Sequence, residues 1–171
     1  MIEYPVRKRN RLASFDYSSQ GSYFITICTD ERKCTLSRII TVGDGFPVPQ
    51  LTDVGLCTQK YIEQINETYP GVFIDKYVIM PNHIHLLIYL AGECETGTGD
   101  PSPTIGNVIG WLKYTITKQV NINSGQENGK VFQRSYHDHI VRNERSYKMI
   151  SDYIDKNPIT WKTDCFYQEI V

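Results

Sequence analysis

The segment VIMPNHIHLLIYL, residues 78–90, decides the fold because it holds a strand that is apolar yet carries two histidines. Pro81-Asn82 is a pair of residues typical of turns, and HIHLLIYL (83–90), which follows it, is typical of a β-strand. Side chains alternate faces along a strand, so His83 and His85 project together, about 7 Å apart along the strand. The opposite face is predicted to be core and carries Ile84, Leu86, Ile88 and Leu90.

Two imidazoles on one rigid strand can begin a metal site, since neutral imidazole binds several divalent metals. The alternative for an H-x-H motif by itself is a half-buried, hydrogen-bonded pair without metal. A second pair, His137 and His139, lies in the polar segment QRSYHDHIVRN. It could supply a ligand, a phosphate contact or structure alone, and the spacing does not choose among them.

Three other stretches complete the strand pattern. SYFITIC (22–28) alternates β-forming residues and predicts a first strand after the basic N-terminal arm. VFIDKYVIM (72–80) predicts a strand that the turn joins to the histidine strand. Residues 29–50 are rich in turn residues and predict an excursion or a short hairpin.

Helical spacing predicts three helices. The first runs from Thr52 to Pro70-Gly71, and the second follows Thr104, a suitable N-cap. The third begins at Asn143 and ends at Asn157, because Pro158 disfavours helical geometry before it. Residues 91–103 and 121–130 are predicted loops. Helices packed on an antiparallel sheet, an α+β sandwich, account for this order.

Length and composition bound the class of protein. The 171 residues predict a single domain spanning 1–171, with residues 1–20 as the basic arm. No apolar run is long enough for a membrane span, and five scattered cysteines without a C-x-x-C pair favour a reducing, cytoplasmic location. The net charge of −1 gives no general support for nucleic-acid binding, although basic residues cluster locally, as in RKRNR at 7–11.

The last predicted helix carries a second constellation. Tyr153 and Asn157 are four residues apart and therefore lie one turn apart on one face. The chain has twelve tyrosines, and an inward tyrosine is usually a core residue whose hydroxyl finds a partner at the edge. An asparagine before proline is often only a helix end.

A family resemblance covers nearly the whole chain. PNHIHLL, followed by FQRSYHDHIVRNERSYKMISDYIDKNPITW, resembles the REP-associated tyrosine transposases, and RKRNRLASFDYSSQGSYFITICT is similar to the opening of one branch of that group. These belong to the single-tyrosine insertion-sequence transposases of the HUH endonuclease class. Three separated segments in the expected order are far more specific than H-x-H alone.

The resemblance implies roles for four residues. His83 and His85 become the metal-binding pair, Tyr153 the nucleophile, and Asn157 the third metal ligand, with Mg²⁺ or Mn²⁺ as the cofactor. His139 matches a recurrent family histidine. The implied fold is a ferredoxin-like α+β sandwich, an antiparallel β-sheet with helices packed on it.

The implied function is that of a DNA transposase and single-strand endonuclease. It would cleave and rejoin single-stranded, hairpin-associated DNA through a metal-assisted 5′-phosphotyrosine intermediate. The expected partner is single-stranded or hairpin DNA. Related enzymes include homodimers and monomers, and the sequence does not choose between them.

Contacts to DNA are expected from basic and aromatic side chains, and a solvated surface is the alternative for each of them. The expected set is Arg7, Lys8, Arg9, Arg11, Lys113, Lys118, Tyr136, His139 and Arg142, with Trp111 and Arg145 as further candidates.

Three alternative hypotheses about the function or the nucleophile remain open. One is a domesticated protein that binds DNA hairpins without cleaving them. Another is a metal-dependent hydrolase, although no Asp-His follows the H-x-H motif and further carboxylate ligands are lacking. The third places the nucleophile at Tyr136, with Tyr153 in the core.

Overall fold

The described part of the chain combines strands and helices in the order β-β-β-α-α-β-β-α-β-α. The computed structural model describes residues 19–92 and 103–168, which form six strands and four helices. The strands are β1 (Gly21–Cys28), β2 (Ser37–Val42), β3 (Phe46–Leu51), β4 (Val72–Ile79), β5 (His83–Leu90) and β6 (His137–Val141). The helices are α1 (Asp53–Glu63), α2 (Ile65–Thr68), α3 (Ile105–Ser124) and α4 (Glu144–Lys156). Most of the basic arm and most of the loop predicted at 91–103 lie outside the described residues.

Four strands form the main sheet in the order β4-β5-β1-β6, and every neighbouring pair is antiparallel. With β2 and β3 set aside, β1, α1, β4, β5, α3 and β6 follow one another as β-α-β-β-α-β, which is the ferredoxin-like motif. The predicted α+β ferredoxin-like sandwich is therefore confirmed.

The turn-rich segment predicted at 29–50 contains a hairpin of β2 and β3, which pair from Ser37 opposite Leu51 to Val42 opposite Phe46. Gly43 and Gly45 occupy the turn with φ of +54° and +99°, a region that glycine enters without steric cost. The hairpin therefore branches off the sandwich between β1 and α1.

The two faces of the main sheet carry different partners. Ile84, Leu86 and Ile88 of β5 join a core cluster that packs against α1 and α3. Leu87 joins a smaller cluster on the other face, where α4 crosses the sheet. We call this second face the α4 face. The predicted division of β5 into a core face and a histidine face follows from the strand alternation.

Helix boundaries differ from the predictions at two places. The helix predicted from Thr52 to Pro70 breaks at Gln64 into α1 and the single turn α2. Helix α3 extends through residues 121–124, which were predicted as loop, and ends only at Gly125 with φ of +65°. That polar stretch contains no helix breaker, so the helix continues to the first glycine. The last helix has the predicted N-cap at Asn143 and ends at Asn157.

The sequence does not predict strand β6, because its residues, HDHIV at 137–141, are mostly polar. It pairs with β1 at the edge of the sheet, with Phe24 opposite His139 and Tyr23 opposite Ile140. An edge strand needs only one apolar flank, so its sequence signal is weak. Within the described ranges, no helix combines the length and hydropathy that a membrane crossing requires.

Candidate active site

Two buried histidines occupy the α4 face of β5. His83 and His85 are 0% and 1% exposed, and their ring centroids lie 4.5 Å apart. Strand alternation places them there, because Ile84 and Leu86 fill the core on the opposite face. Both rings are thus held on a rigid element, away from bulk water.

A side-chain amide orients the His83 ring. Nδ1 of His83 lies 3.0 Å from Oδ1 of Asn82, whose Nδ2 donates to the carbonyl oxygen of Phe166 at 2.8 Å. Because an amide oxygen only accepts, Nδ1 carries the proton and Nε2 carries the lone pair. Outer hydrogen bonds of this kind fix the tautomer of metal-binding histidines.

The Thr26 hydroxyl holds the second ring. Thr26 lies opposite His85 in the register of β1 and β5, and its Oγ1 is 2.9 Å from Nδ1. We assign Nδ1–H as the donor, which leaves the lone pair on Nε2. That nitrogen is 3.4 Å from the hydroxyl of Tyr153.

Burial keeps both imidazoles neutral. It lowers the pKa of His83 from 6.5 to about 4, against the opposing influence of the Asp164 charge and the neighbouring Asn157 amide. Burial, with the proximity of His83, also holds the pKa of His85 well below 6.5. At neutral pH each ring therefore offers an uncharged nitrogen, the form that binds a metal.

Helix α4 brings Tyr153 to the histidines. The Asn143 side chain caps the helix by accepting from the Ser146 amide at 2.8 Å, and Ile154 is buried against the sheet. The Tyr153 ring lies 5.2 Å from that of His85 and is 39% exposed. The phenol therefore lies at the mouth of the site, reachable by a large substrate.

Asn157 closes the inner end of the site. Its side chain is 0% exposed, and Nδ2 donates to Oδ2 of Asp164 at 3.0 Å. Its Oδ1 and Nε2 of His83 are both buried without a hydrogen-bond partner among the described residues. Orphaned buried acceptors are rare in native proteins and call for an ion or water. A divalent cation would satisfy both, so these residues fit a metal.

The donor set is unusual for a metal centre. No group of three His, Cys, Asp or Glu that could hold a metal occurs in residues 19–92 and 103–168. The candidate set is instead two imidazoles and one amide oxygen, from His83, His85 and Asn157. All three donors are neutral, so a bound cation would keep its full charge toward an anionic substrate.

Asp164 belongs to the site, although the sequence did not suggest it. Its Oδ2 accepts from the Tyr153 hydroxyl at 3.2 Å as well as from Asn157, and its Oδ1 accepts from the Phe166 amide at 2.7 Å. Burial, followed by the Asp164 charge, raises the pKa of Tyr153 to about 12. The resting phenol is therefore protonated and donates to this carboxylate.

Aromatic rings surround the histidines. Phe24 stacks on His85 at 5.0 Å, and Phe166 and Trp161 lie 4.6 Å and 5.9 Å from His83. These rings restrict the imidazole rotamers and exclude water. Such packing is what a site needs to keep its ligands in place.

The expected DNA contacts lie in several places. Lys113 donates its ammonium hydrogens to the carbonyl oxygens of Gln133 and Arg134, and so ties α3 to the segment before β6. The Lys118 ammonium lies 6.0 Å above the Tyr114 ring on the outer side of α3. Both lie on the opposite face of the sheet from the histidine site.

The remaining expected contacts divide between the two faces. Tyr136 packs against the core cluster of α1 and α3, away from the histidines. His139 is exposed and shares the α4 face, since it pairs with Phe24, and Arg142 is exposed just before α4. The arm residues lie outside the described part of the chain, namely Arg7, Lys8, Arg9 and Arg11.

The fold, the site and the sequence together define the family of the chain. A ferredoxin-like sheet that presents two buried histidines to a tyrosine on a crossing helix fits the class of transposases. Residues 49–157 match the family described as IS200-like transposases, which is more than half of the chain. The protein belongs to this family.

Two similar proteins extend the comparison. An uncharacterized protein of Haemophilus influenzae is 37% identical over 177 residues, which cover 94% of this chain and 93% of that protein. The solved structure of a REP-associated tyrosine transposase bound to a REP hairpin covers 94% of this chain and 74% of that one, with a TM-score of 0.54 and 21% identity. The second likeness is one of fold.

Proposed function

We propose that the chain is a single-domain, tyrosine-dependent endonuclease and strand transferase that acts on single-stranded, hairpin-associated DNA. Tyr153 would be the nucleophile, and His83, His85 and Asn157 would hold Mg²⁺ or Mn²⁺. The observation that carries the proposal is the 3.4 Å approach of the Tyr153 hydroxyl to Nε2 of His85, beside two orphaned buried acceptors.

The metal would be held by neutral donors. When bound, a divalent cation supplies positive charge that polarises the scissile phosphate and aligns it for in-line attack. Asn82 and Thr26 orient the two imidazoles through their Nδ1 atoms, so the lone pairs are directed before any metal arrives. Mn²⁺ and Mg²⁺ accept oxygen ligands, and the amide oxygen of Asn157 supplies one.

Asp164 would take the phenolic proton. The Tyr153 hydroxyl already donates to Oδ2, so transfer to that oxygen needs no rearrangement. The pKa of the phenol, raised to about 12, makes such an acceptor necessary, because free phenolate is scarce at neutral pH. The general base that the sequence does not name is, in this proposal, Asp164.

The bond changes balance in two steps. The Tyr153 oxygen attacks phosphorus, the bond from phosphorus to the 3′-oxygen breaks, and the leaving 3′-oxygen takes a proton from solvent. The 5′-phosphate stays on the tyrosine and preserves the phosphodiester energy. A 3′-hydroxyl then loses its proton to solvent and attacks the phosphotyrosine, the bond from phosphorus to the Tyr153 oxygen breaks as a new phosphodiester forms, and the phenol recovers its proton from Asp164.

The partner is proposed from the solved relative, which was bound to a REP hairpin. We therefore propose that the substrate of this chain is a DNA hairpin with a flanking single strand. Its proposed contacts include the arm, Lys118, His139 and Arg142. The four cysteines in the described residues are free thiols, which fits a cytoplasmic protein.

Each chain would hold a complete site. Tyr153 meets His85 of its own chain, so cleavage requires no second subunit. A homodimer, as formed by some relatives, would therefore pair two sites without sharing residues between them.

The decisive experiment tests for a covalent adduct. Labelled single-stranded hairpins, taken from repeats that flank its own gene, are incubated with the protein and Mn²⁺ or Mg²⁺ and resolved on a denaturing gel. Tyr153→Phe removes the proposed nucleophile, and Tyr136→Phe is the matched control on the other face of the sheet. We expect a metal-dependent band that disappears only in Tyr153→Phe.

Each of the other outcomes would favour a different site or a different function. Loss of the band only in Tyr136→Phe would move the nucleophile and overturn the site. Hairpin binding without an adduct in either metal would favour the domesticated DNA-binding protein. Release of cleaved DNA without a covalent intermediate would favour a metal-dependent hydrolase.

A further inference from the structure

A groove runs beside the candidate active site, between the β2–β3 hairpin and the segment that follows α4. Its volume is about 800 Å³. Arg38 and Thr41 of the hairpin line one wall, and Ile159, Lys162 and Tyr167 line the other. The family match begins at residue 49, so most of the hairpin lies outside the region common to the family.

The groove borders the metal site, and Trp161 lies between the two. Pro158 and Ile159, which line it, follow Asn157 directly in the chain. Trp161 forms part of its floor and lies 5.9 Å from the His83 ring on one side and 5.3 Å from the Tyr167 ring on the other. The groove is therefore one side chain away from His83, close enough for the strand that adjoins a phosphate at the histidines to reach it.

The charges in the groove suit a polyanion. Arg38 and Lys162 are both exposed, and the described residues that line the groove include no acidic side chain. Within residues 19–92 and 103–168, the ion pairs are Lys33 with Glu31 and Lys76 with Asp155, so these two cations have no ionic partner there. Unpaired cations in a groove are the usual means of holding a nucleic-acid backbone.

The apolar surface suits unpaired bases. Tyr167 is 39% exposed and Ile159 is 59% exposed, both facing the same concavity as the cations. Cations that follow a backbone, with an aromatic ring on which a base stacks, are the pattern of single-strand binding sites. The bases of a duplex are stacked on each other and would leave these side chains unused.

We propose that this groove binds the single strand adjoining the scissile phosphate, with Arg38 and Lys162 on phosphates and Tyr167 against a base. The identity of the ligand rests on the proposed function. The β2–β3 hairpin then forms one wall of the binding site for the substrate strand.

The test measures how salt weakens binding. A fluorescent oligothymidylate is titrated by anisotropy in the Tyr153→Phe background with a metal chelator, so no cleavage intervenes. Each phosphate contact contributes about 0.7 to the slope of log K against log salt for a single strand. The double variant Arg38→Gln/Lys162→Gln should therefore reduce the slope by about 1.4, and Tyr167→Ala should weaken binding at every salt concentration.

The matched control is Lys60→Gln, an exposed lysine of α1 on the opposite face of the sheet. It should leave the slope unchanged. Equal slopes in the double variant and the parent, an equal loss in the control, or no binding of oligothymidylate at low salt would each overturn the groove. Tighter binding of duplex than of single strand would do the same.

The groove and the proposed chemistry fail separately. If the double variant has a reduced salt slope but the wild-type chain forms no adduct, DNA binding in the groove is supported and the proposed cleavage reaction is refuted. If the wild-type chain forms the adduct but the Arg38→Gln/Lys162→Gln variant keeps the salt slope of its parent, the proposed chemistry stands and the proposed role of the groove is refuted.

Discussion

The buried histidines should make the metal-free protein sensitive to mild acid. The pKa of folded His83 is about 4, whereas an unfolded histidine titrates at its ordinary value of 6.5. Below pH 6.5 the unfolded chain therefore takes up a proton that the folded chain does not. Stability is fully present above pH 6.5 and is lost as the pH falls toward 4.

The size of the effect follows from the two values. The difference between 6.5 and about 4, at about 1.4 kcal/mol for each pH unit, amounts to about 3 kcal/mol when complete. By pH 5 about 2 kcal/mol of it should already be gone. His85 acts in the same direction, because burial also lowers its pKa.

The assay is urea unfolding at pH 7 and pH 5 with a chelator present. His83→Asn removes the titrating ring, so its free energy of unfolding should fall less between the two pH values, by about 2 kcal/mol. His139→Asn removes an exposed imidazole from the same α4 face and serves as the matched control. The reasoning fails if His83→Asn loses as much stability between pH 7 and pH 5 as the wild type.

Three further predictions concern the site. Asp164→Asn should slow single-turnover adduct formation about 100-fold through loss of the proton acceptor, with hairpin affinity unchanged; an unaltered rate would exclude Asp164 as the base. Asn82→Ala should weaken Mn²⁺ binding about 10- to 100-fold, read by electron paramagnetic resonance, because the His83 ring loses its orienting acceptor; equal affinity would contradict the assigned tautomer. A mixture of His85→Ala and Tyr153→Phe chains should form no adduct, since both residues act within one chain; recovery of the adduct would show a site shared between subunits.

The strongest patterns in the sequence predicted the fold. Strand β5 and helix α4 have regular periods and clear ends, so their positions followed from alternation and from Asn143 and Pro158. The packing of α4 over the histidines is also as predicted, although the catalytic roles of these residues stay predictions. The sequence does not predict strand β6, because its pairing with β1, and not its own composition, makes it a strand.

Asp164 could not have been predicted from spacing. It follows a single 3₁₀ turn at Trp161–Thr163, and no period relates it to Tyr153 or Asn157. Only the fold of the last described segment brings its carboxylate within hydrogen-bond distance of both. In the sequence, Asp164 is only an acidic residue shortly after the helix that carries Tyr153. That position indicates no role until the conformation of the intervening turn is known.

The alternation of β5 couples the chemistry of the chain to its architecture. An insertion or deletion of one residue within residues 83–90 would move the imidazoles into the core and the aliphatic side chains into the site. Such a change would destroy the sheet and the metal ligands together. Copies of this gene that decay while still encoding a folded protein should therefore lose the histidines by substitution, and keep the length of this strand.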